Sequence, residues 1–167
     1  MSLEDRLFAD LALLNIVWQL VEHEAVFTVE ESSKLDRDIP GAHTKNLFLK
    51  DAGDQFWLMT VPAAMRVDLK SLPHVIGCKR VSFGKADDML RLLGVSPGSV
   101  TPLAAIADVA CRVTLVIDSH LANADRINIH PLKNTATLGL SPDSLIQLLK
   151  YWNHVPIVAD IPQLSGA

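Results

Sequence analysis

The chain has 167 residues, of which 49% are hydrophobic and 20% charged, with a formal net charge of −4. That length suits one domain with a real core, and the composition is that of a globular chain with no apolar run long enough to span a bilayer. The acidic total speaks against a long basic groove for nucleic acid, although residues 43–91 carry +3 while residues 1–42 carry −6 and residues 92–167 carry −1.

The acidic opening Met1-Ser2-Leu3-Glu4-Asp5 is the reverse of a secretory leader, which gives the cytoplasm as the expected compartment. Ser2 and Asp5 have the spacing of a capping box, and Leu3, Leu7, Leu11 and Leu14 follow at helical intervals. Asn15 is a natural stop in the left-handed cap position, and Ile16-Val17-Trp18 favours a strand. Ala25 to Glu31 reads as a strand end followed by a helical turn. Pro40-Gly41 is a turn, and His43 to Asp51 then alternates as a half-buried strand, with Leu47 and Leu49 on one face and Asn46, Phe48 and Lys50 on the other. Ala52-Gly53 makes a hairpin turn, and Gln55 to Val61 is the returning strand.

Asp68 is expected to cap a short helix that Pro73 interrupts or ends. Lys79 to Phe83 is strand-like, and a helix from about Lys85 to Leu93 stops at Gly94. Pro97-Gly98 opens a loop that Pro102 closes. Arg112 to Asp118 is a buried strand, with Ile127 to His130 and Thr135 to Leu140 as two more. Ser141-Pro142 begins a helix whose buried face is Leu145, Leu148, Leu149 and Trp152, and Val155 to Val158 is a final edge strand. Hairpins mixed with isolated helices give an α+β single domain over residues 1–167, a mixed β-sheet surrounded by helices.

The chemistry is narrowed by what is missing. No G-x-S-x-G elbow occurs, and the six histidines show no HExxH or other tight metal spacing. Cys78 and Cys111 are far apart, form no CxxC, and read as buried free thiols. The expectation is therefore an activity with no metal and no cofactor. Three stretches remain: His43-Thr44-Lys45-Asn46-Leu47-Phe48-Leu49-Lys50-Asp51, Gly98-Ser99-Val100-Thr101-Pro102, and Ile129-His130-Pro131-Leu132-Lys133-Asn134-Thr135-Ala136-Thr137.

Together these stretches, in this order, make the chain resemble the YbaK/ProX family of aminoacyl-tRNA deacylases, most closely its free-standing ProX type. The resemblance runs from about Leu3 to Val158, and Pro73 departs from the fuller helix usual in the family. It implies a trans-editing hydrolase that removes alanine from mischarged tRNA for proline in the cytoplasm. The partners it implies are the 3′ CCA end and acceptor stem of that tRNA, with prolyl-tRNA synthetase as a further candidate and no membrane.

An aminoacyl ester is already reactive, so positioning and charge stabilisation suffice without a covalent intermediate. In the family picture the substrate's own ribose hydroxyl helps activate water. Lys45 would contact the phosphate near the terminal adenosine as a compact charge, and His130 would line the adenosine site. Backbone N–H groups of Gly98 and Ser99 would hold the ester carbonyl, in a loop completed by Val100, Thr101 and Pro102. Asn46 is a candidate for ribose or base, with Thr44 beside it. Asn134 and Thr135 either line the same site or satisfy strand ends. Lys50, Lys79 and Arg80 either reach the acceptor stem or are solvated strand-end charges. Val26 and Val29 are candidates for the wall that selects a small side chain. Cysteinyl or seryl esters are the alternative substrates, and a non-catalytic module that binds the tRNA end is the alternative of another class.

Overall fold

A computed structural model of the chain describes residues 1–25, 34–35 and 37–165. Its centre is a mixed eight-stranded sheet. The strands are β1 (Gln19–Glu22), β2 (Ala42–Asp51), β3 (Phe56–Pro62), β4 (Val81–Phe83), β5 (Val113–Asp118), β6 (Ile127–Ile129), β7 (Ala136–Leu140) and β8 (Ile157–Ala159). Their order is β1-β7-β6-β2-β3-β5-β8, with β4 also on β2. The pairs β2–β6, β3–β5 and β5–β8 are parallel and the rest antiparallel.

Local chemistry explains most element ends. The Ser2 hydroxyl accepts from the Asp5 N–H at 3.0 Å and the Asp5 carboxylate answers the Ser2 N–H, which starts the helix Leu3–Leu13. Asn15 is left-handed, as a stop residue should be, but the strand begins at Gln19 because Ile16 turns into the core instead. Helix Ala86–Leu93 ends on left-handed Gly94, and helix Pro142–Tyr151 opens on Ser141, whose hydroxyl accepts from the Ser144 N–H. Two expectations need correction. Pro73 begins a short helix, Pro73–Ile76, where its missing N–H costs nothing, and the Asp68 carboxylate takes the Ser71 hydroxyl rather than a backbone amide. The hairpin turn falls at Ala52-Gly53 as expected, and left-handed Asp54 follows it.

The long helices all pack on one face of the sheet. Leu7, Leu11, Met89, Leu92, Leu93, Leu145, Leu148 and Leu149 join Phe48, Phe56, Leu58, Ile127, Ile129 and Leu138 in one core. On the opposite face a smaller core of Leu49, Trp57, Met59, Val61, Leu72 and Val116 covers only the β2-β3-β5 half. So β2 is buried on both faces near its end, not half-buried throughout.

Asp51 holds the hairpin end of β2 together. Its buried carboxylate accepts from the amides of Gly53 (2.9 Å), Gln55 (3.0 Å) and Lys79 (3.2 Å) and from Trp57 Nε1 (3.1 Å). Burial works to raise its pKa, but these hydrogen bonds, the Gln55 amide foremost, outweigh it and hold the carboxyl below its ordinary value. Its contribution to stability is therefore complete above the unfolded-state carboxyl pKa and is lost as pH falls through the lower folded-state value. Asp51→Ala is expected to cost about 3 kcal/mol by stranding buried donors, and to lower Tm by roughly 6–12 °C. Thermal melts of the two proteins measure this directly.

Candidate active site

A gap in the sheet defines the site. On the side of β2 away from β3, strand β6 pairs with Ala42 and His43, and β4 pairs with Leu49 to Asp51. Between them Lys45, Asn46 and Leu47 have no strand partner on that side. Thr44 closes one end, its hydroxyl donating to the Asn128 carbonyl at 2.7 Å, and the Gly84 N–H donates to the Phe48 carbonyl at the other. A ligand at the carboxyl end of a strand that stops short can meet backbone there without breaking a ladder.

The Gly98 loop reaches the gap from the side of the larger core. The side-chain N–H of Asn46 donates to the Val100 carbonyl at 3.0 Å, and its oxygen accepts from the Thr60 hydroxyl at 2.7 Å. Asn46 is thus a tether for the loop, with both ends of its amide engaged. Val100, Thr101 and Pro102 are buried, and the Thr101 hydroxyl accepts from the Leu103 N–H, so their side chains anchor the loop rather than line it. The Ser99 N–H donates to the Ser96 carbonyl at 2.9 Å, which leaves Gly98 as the loop's candidate amide donor. Gly98 is exposed, and a Cβ there would have open space apart from Asn134 Nδ2 at 3.7 Å. The fold therefore brings Gly98 and Asn134 together.

Lys45 and His130 lie on the other face. Lys45 pairs with Val61, of the smaller core, while Asn46 and its partner Thr60 face the opposite way. His43 pairs with Asn128 in parallel register, and continuing that register past the end of β6 sets His130 level with Lys45. Among the described residues Lys45 makes no hydrogen bond or ion pair, and its side chain is half-buried. His130 Nδ1 is buried, with no hydrogen-bond partner among the described residues. Burial lowers the His130 pKa, a backbone hydrogen bond to Ala136 opposes this, and nearby His23 lowers it further. The imidazole is therefore neutral at pH 7, a hydrogen-bonding group and not a phosphate-binding cation.

The sign of this shift gives a prediction. Because the folded pKa is depressed, the stability His130 contributes is complete above the unfolded histidine pKa and is lost as pH falls below it. Activity should be level from pH 8 down through the ordinary histidine value of about 6.5, and fall only at lower pH, where the buried ring takes its proton beside Lys45. A rate that rises through that lower range would mean the imidazolium is the working form.

Asn128 and His23 belong to this face too, and the sequence analysis did not single them out. Asn128 is 3% exposed, donates to the Pro40 carbonyl and leaves its own Oδ1 unpartnered. The signal was present: Arg126, Asn128 and His130 alternate with the core residues Ile127 and Ile129. His23, whose Nε2 lies 2.9 Å from the Thr137 hydroxyl, had no local signal.

The remaining candidates are dispersed. Lys50 sits at the hairpin end, 3.6 Å from Asp54 and 5.5 Å above the Phe56 ring, about 17 Å along β2 from Lys45. Arg80 is exposed there, its carbonyl taking the Ala52 N–H, and Lys79 contributes only its amide to Asp51 among the described contacts. Val26 and Val29 lie outside the described residues. Cys78 is buried, its thiol pushed up by burial and by Asp51, but Cys111 is exposed, contrary to expectation. Among the described residues no group of three His, Cys, Asp or Glu side chains has the geometry to hold a metal ion. No helix there is long and apolar enough to cross a membrane.

Comparison with known proteins decides the family. Residues 23–148 match the model of the aminoacyl-tRNA editing domain. The chain belongs to that family. It is 34% identical over 151 residues to the prolyl-tRNA editing protein ProX of Acetoanaerobium sticklandii, covering 90% of this chain and 92% of that one. It is 38% identical over 162 residues to prolyl-tRNA synthetase associated domain-containing protein 1 of Bos taurus, covering 94% of this chain and 92% of the other. The fold of this editing domain is also that of a crystal structure described as a proposed trans-editing enzyme for prolyl-tRNA synthetase. That likeness has a TM-score of 0.72 at 17% identity, over 98% of this chain and 99% of the other.

Proposed function

We propose that this editing domain hydrolyses the aminoacyl ester of tRNA for proline mischarged with alanine, acting as a free-standing enzyme. The observation that carries the reading is the gap beside Asn46, flanked by the Gly98 loop on one face and by Lys45 and His130 on the other. The names of the ProX and synthetase-associated relatives support proline as the tRNA identity, and prolyl-tRNA synthetase is the protein partner they suggest.

In this reading Lys45 meets the phosphate next to the terminal adenosine and neutral His130 lines the site of that nucleoside. The Gly98 amide faces the ester carbonyl. Water adds to the carbonyl carbon while its oxygen gains charge against that amide. The bond to the ribose oxygen then breaks, the ribose regains its hydroxyl, and alanine leaves as its carboxylate. No side chain serves as nucleophile, and the substrate's own ribose hydroxyl assists the water. One backbone donor of this kind is worth about 2.7–4 kcal/mol. In the same reading Lys50 and Arg80, at the far end of β2, reach toward the acceptor stem.

Specificity is tested by following deacylation of the same tRNA charged separately with alanine, cysteine, serine and proline. Loss of alanine fastest is expected; cysteine or serine fastest would move the substrate to a sister subfamily's. The water mechanism makes its own prediction. Ser99→Ala should stay within about threefold of the parent, since the residue supplies only a turn amide, and dialysis against a strong chelator should leave the rate unchanged. A well-folded Ser99→Ala protein without activity would mean a serine nucleophile.

A further inference from the structure

The sequence alternation Arg126, Asn128, His130 runs beyond the proposed site. Arg126 lies four residues before His130, about 13 Å along the strand direction. Between the two, the Pro40-Gly41 turn lies against Asn128 and the stem of Arg126: Asn128 Nδ2 donates to the Pro40 carbonyl, and a Cβ on Gly41 would sit 3.1 Å from Arg126 Cγ. Arg126 therefore does not face the gap. It lines a separate cavity of about 430 Å³ where β1 and β6 begin and β7 ends, walled by Trp18, Gln19, Asn15, Ser141 and the rim residue Asp125. That volume is in the range of small-molecule sites.

Two features set this cavity apart from a surface dimple. Among the described residues Arg126 Nε is buried without a hydrogen-bond partner, and no carboxylate there lies within ion-pair distance of the guanidinium. A buried donor on a permanently charged group is seldom left without an acceptor. The second is the floor. A Cβ on Gly139 would lie 2.3 Å from Arg126 Nη2 and 2.4 Å from Nε, so the guanidinium lies flat against a backbone that only glycine leaves bare. Its position is built, and its hydrogen-bonding fork is unspent.

We propose that this cavity is a second binding site, for a small organic anion whose phosphoryl or carboxylate group is gripped by Arg126. Both groups match the two-pronged geometry of a guanidinium. Asn15 and Gln19 offer amides to the body of the ligand, and Trp18 offers an apolar wall. The exposed Asp125 carboxylate at the rim disfavours ligands of high charge, which selects for a small monoanionic or dianionic group over a polyanion.

The test is an NMR titration of the full chain with inorganic phosphate and, separately, with acetate, read at the Trp18 indole, the Gly139 amide and Arg126 Nε. Saturable shifts at these three positions at millimolar concentration are expected with at least one probe; phosphate alone marks a phosphoryl ligand and acetate alone a carboxylate. Arg126→Gln should weaken the response at Trp18 and Gly139 by roughly tenfold or more while deacylation continues at the parent rate. No saturable shift in the parent protein with either probe would overturn the site. So would a shift at Trp18 that survives unchanged in a folded Arg126→Gln protein.

Discussion

Lys45→Ala is expected to slow single-turnover deacylation by about 100-fold or more, for every aminoacyl group alike. Lys45 is half-buried and makes no ion pair among the described residues, and it lies level with His130 beside the gap in the sheet. A lysine in that position has charge to give to a phosphate and touches nothing that differs between amino acids. Its loss should also flatten the dependence of affinity on salt. Each phosphate contact contributes about 0.7–0.9 to the slope of log affinity against log salt, so the slope should fall by about one contact's worth. Few basic residues surround the gap, and the parent slope should be shallow from the start. An unchanged slope with unchanged rates would make Lys45 an ordinary solvated strand charge.

Asn46→Asp separates positioning from contact. The substituted carboxylate still accepts from the Thr60 hydroxyl but has no donor for the Val100 carbonyl, now held at 3.0 Å. The Gly98 loop then loses its tether to β2. A misplacement near 1 Å in a reacting geometry costs on the order of 100-fold, and a fall of that size in the single-turnover rate is expected. Affinity for the tRNA should fall much less than the rate, through the added charge alone, because Asn46 spends its amide inside the protein. If affinity falls as far as the rate does, Asn46 meets the ribose or base directly and the tether is incidental.

Some of this was legible in the sequence because it is local chemistry. The capping box at Ser2, the Ser141-Pro142 helix start, the Gly94 stop and the alternation from His43 to Asp51 each depend on residues a few positions apart. Alternation also predicted correctly that Leu47 and Leu49 would part from Phe48. It carried a further consequence for the site: Lys45 and Asn46, neighbours in one motif, must face opposite ways. The gap that reconciles them comes from β6 and β4, more than 40 residues apart in the chain, stopping short along the same strand. No local pattern encodes that pairing. The loop residues show the same limit, for Gly98 to Pro102 reads as one motif while Val100, Thr101 and Pro102 are buried and only Gly98 is fully exposed. Proline is locally compatible with either side of a helix boundary, and at position 73 it starts a helix where the sequence suggested an interruption or an end.

The central claim is that the gap beside Asn46 hydrolyses an ester rather than merely holding a tRNA end. The direct measurement is a time course of labelled alanine released from alanylated tRNA for proline, with protein in excess, set against the same tRNA in buffer. Release far above the spontaneous rate is expected, lost in Lys45→Ala and retained in Ser99→Ala. Tight binding of that tRNA with alanine released no faster than in buffer would contradict the claim, and the domain would then be a module that binds the tRNA end without editing it.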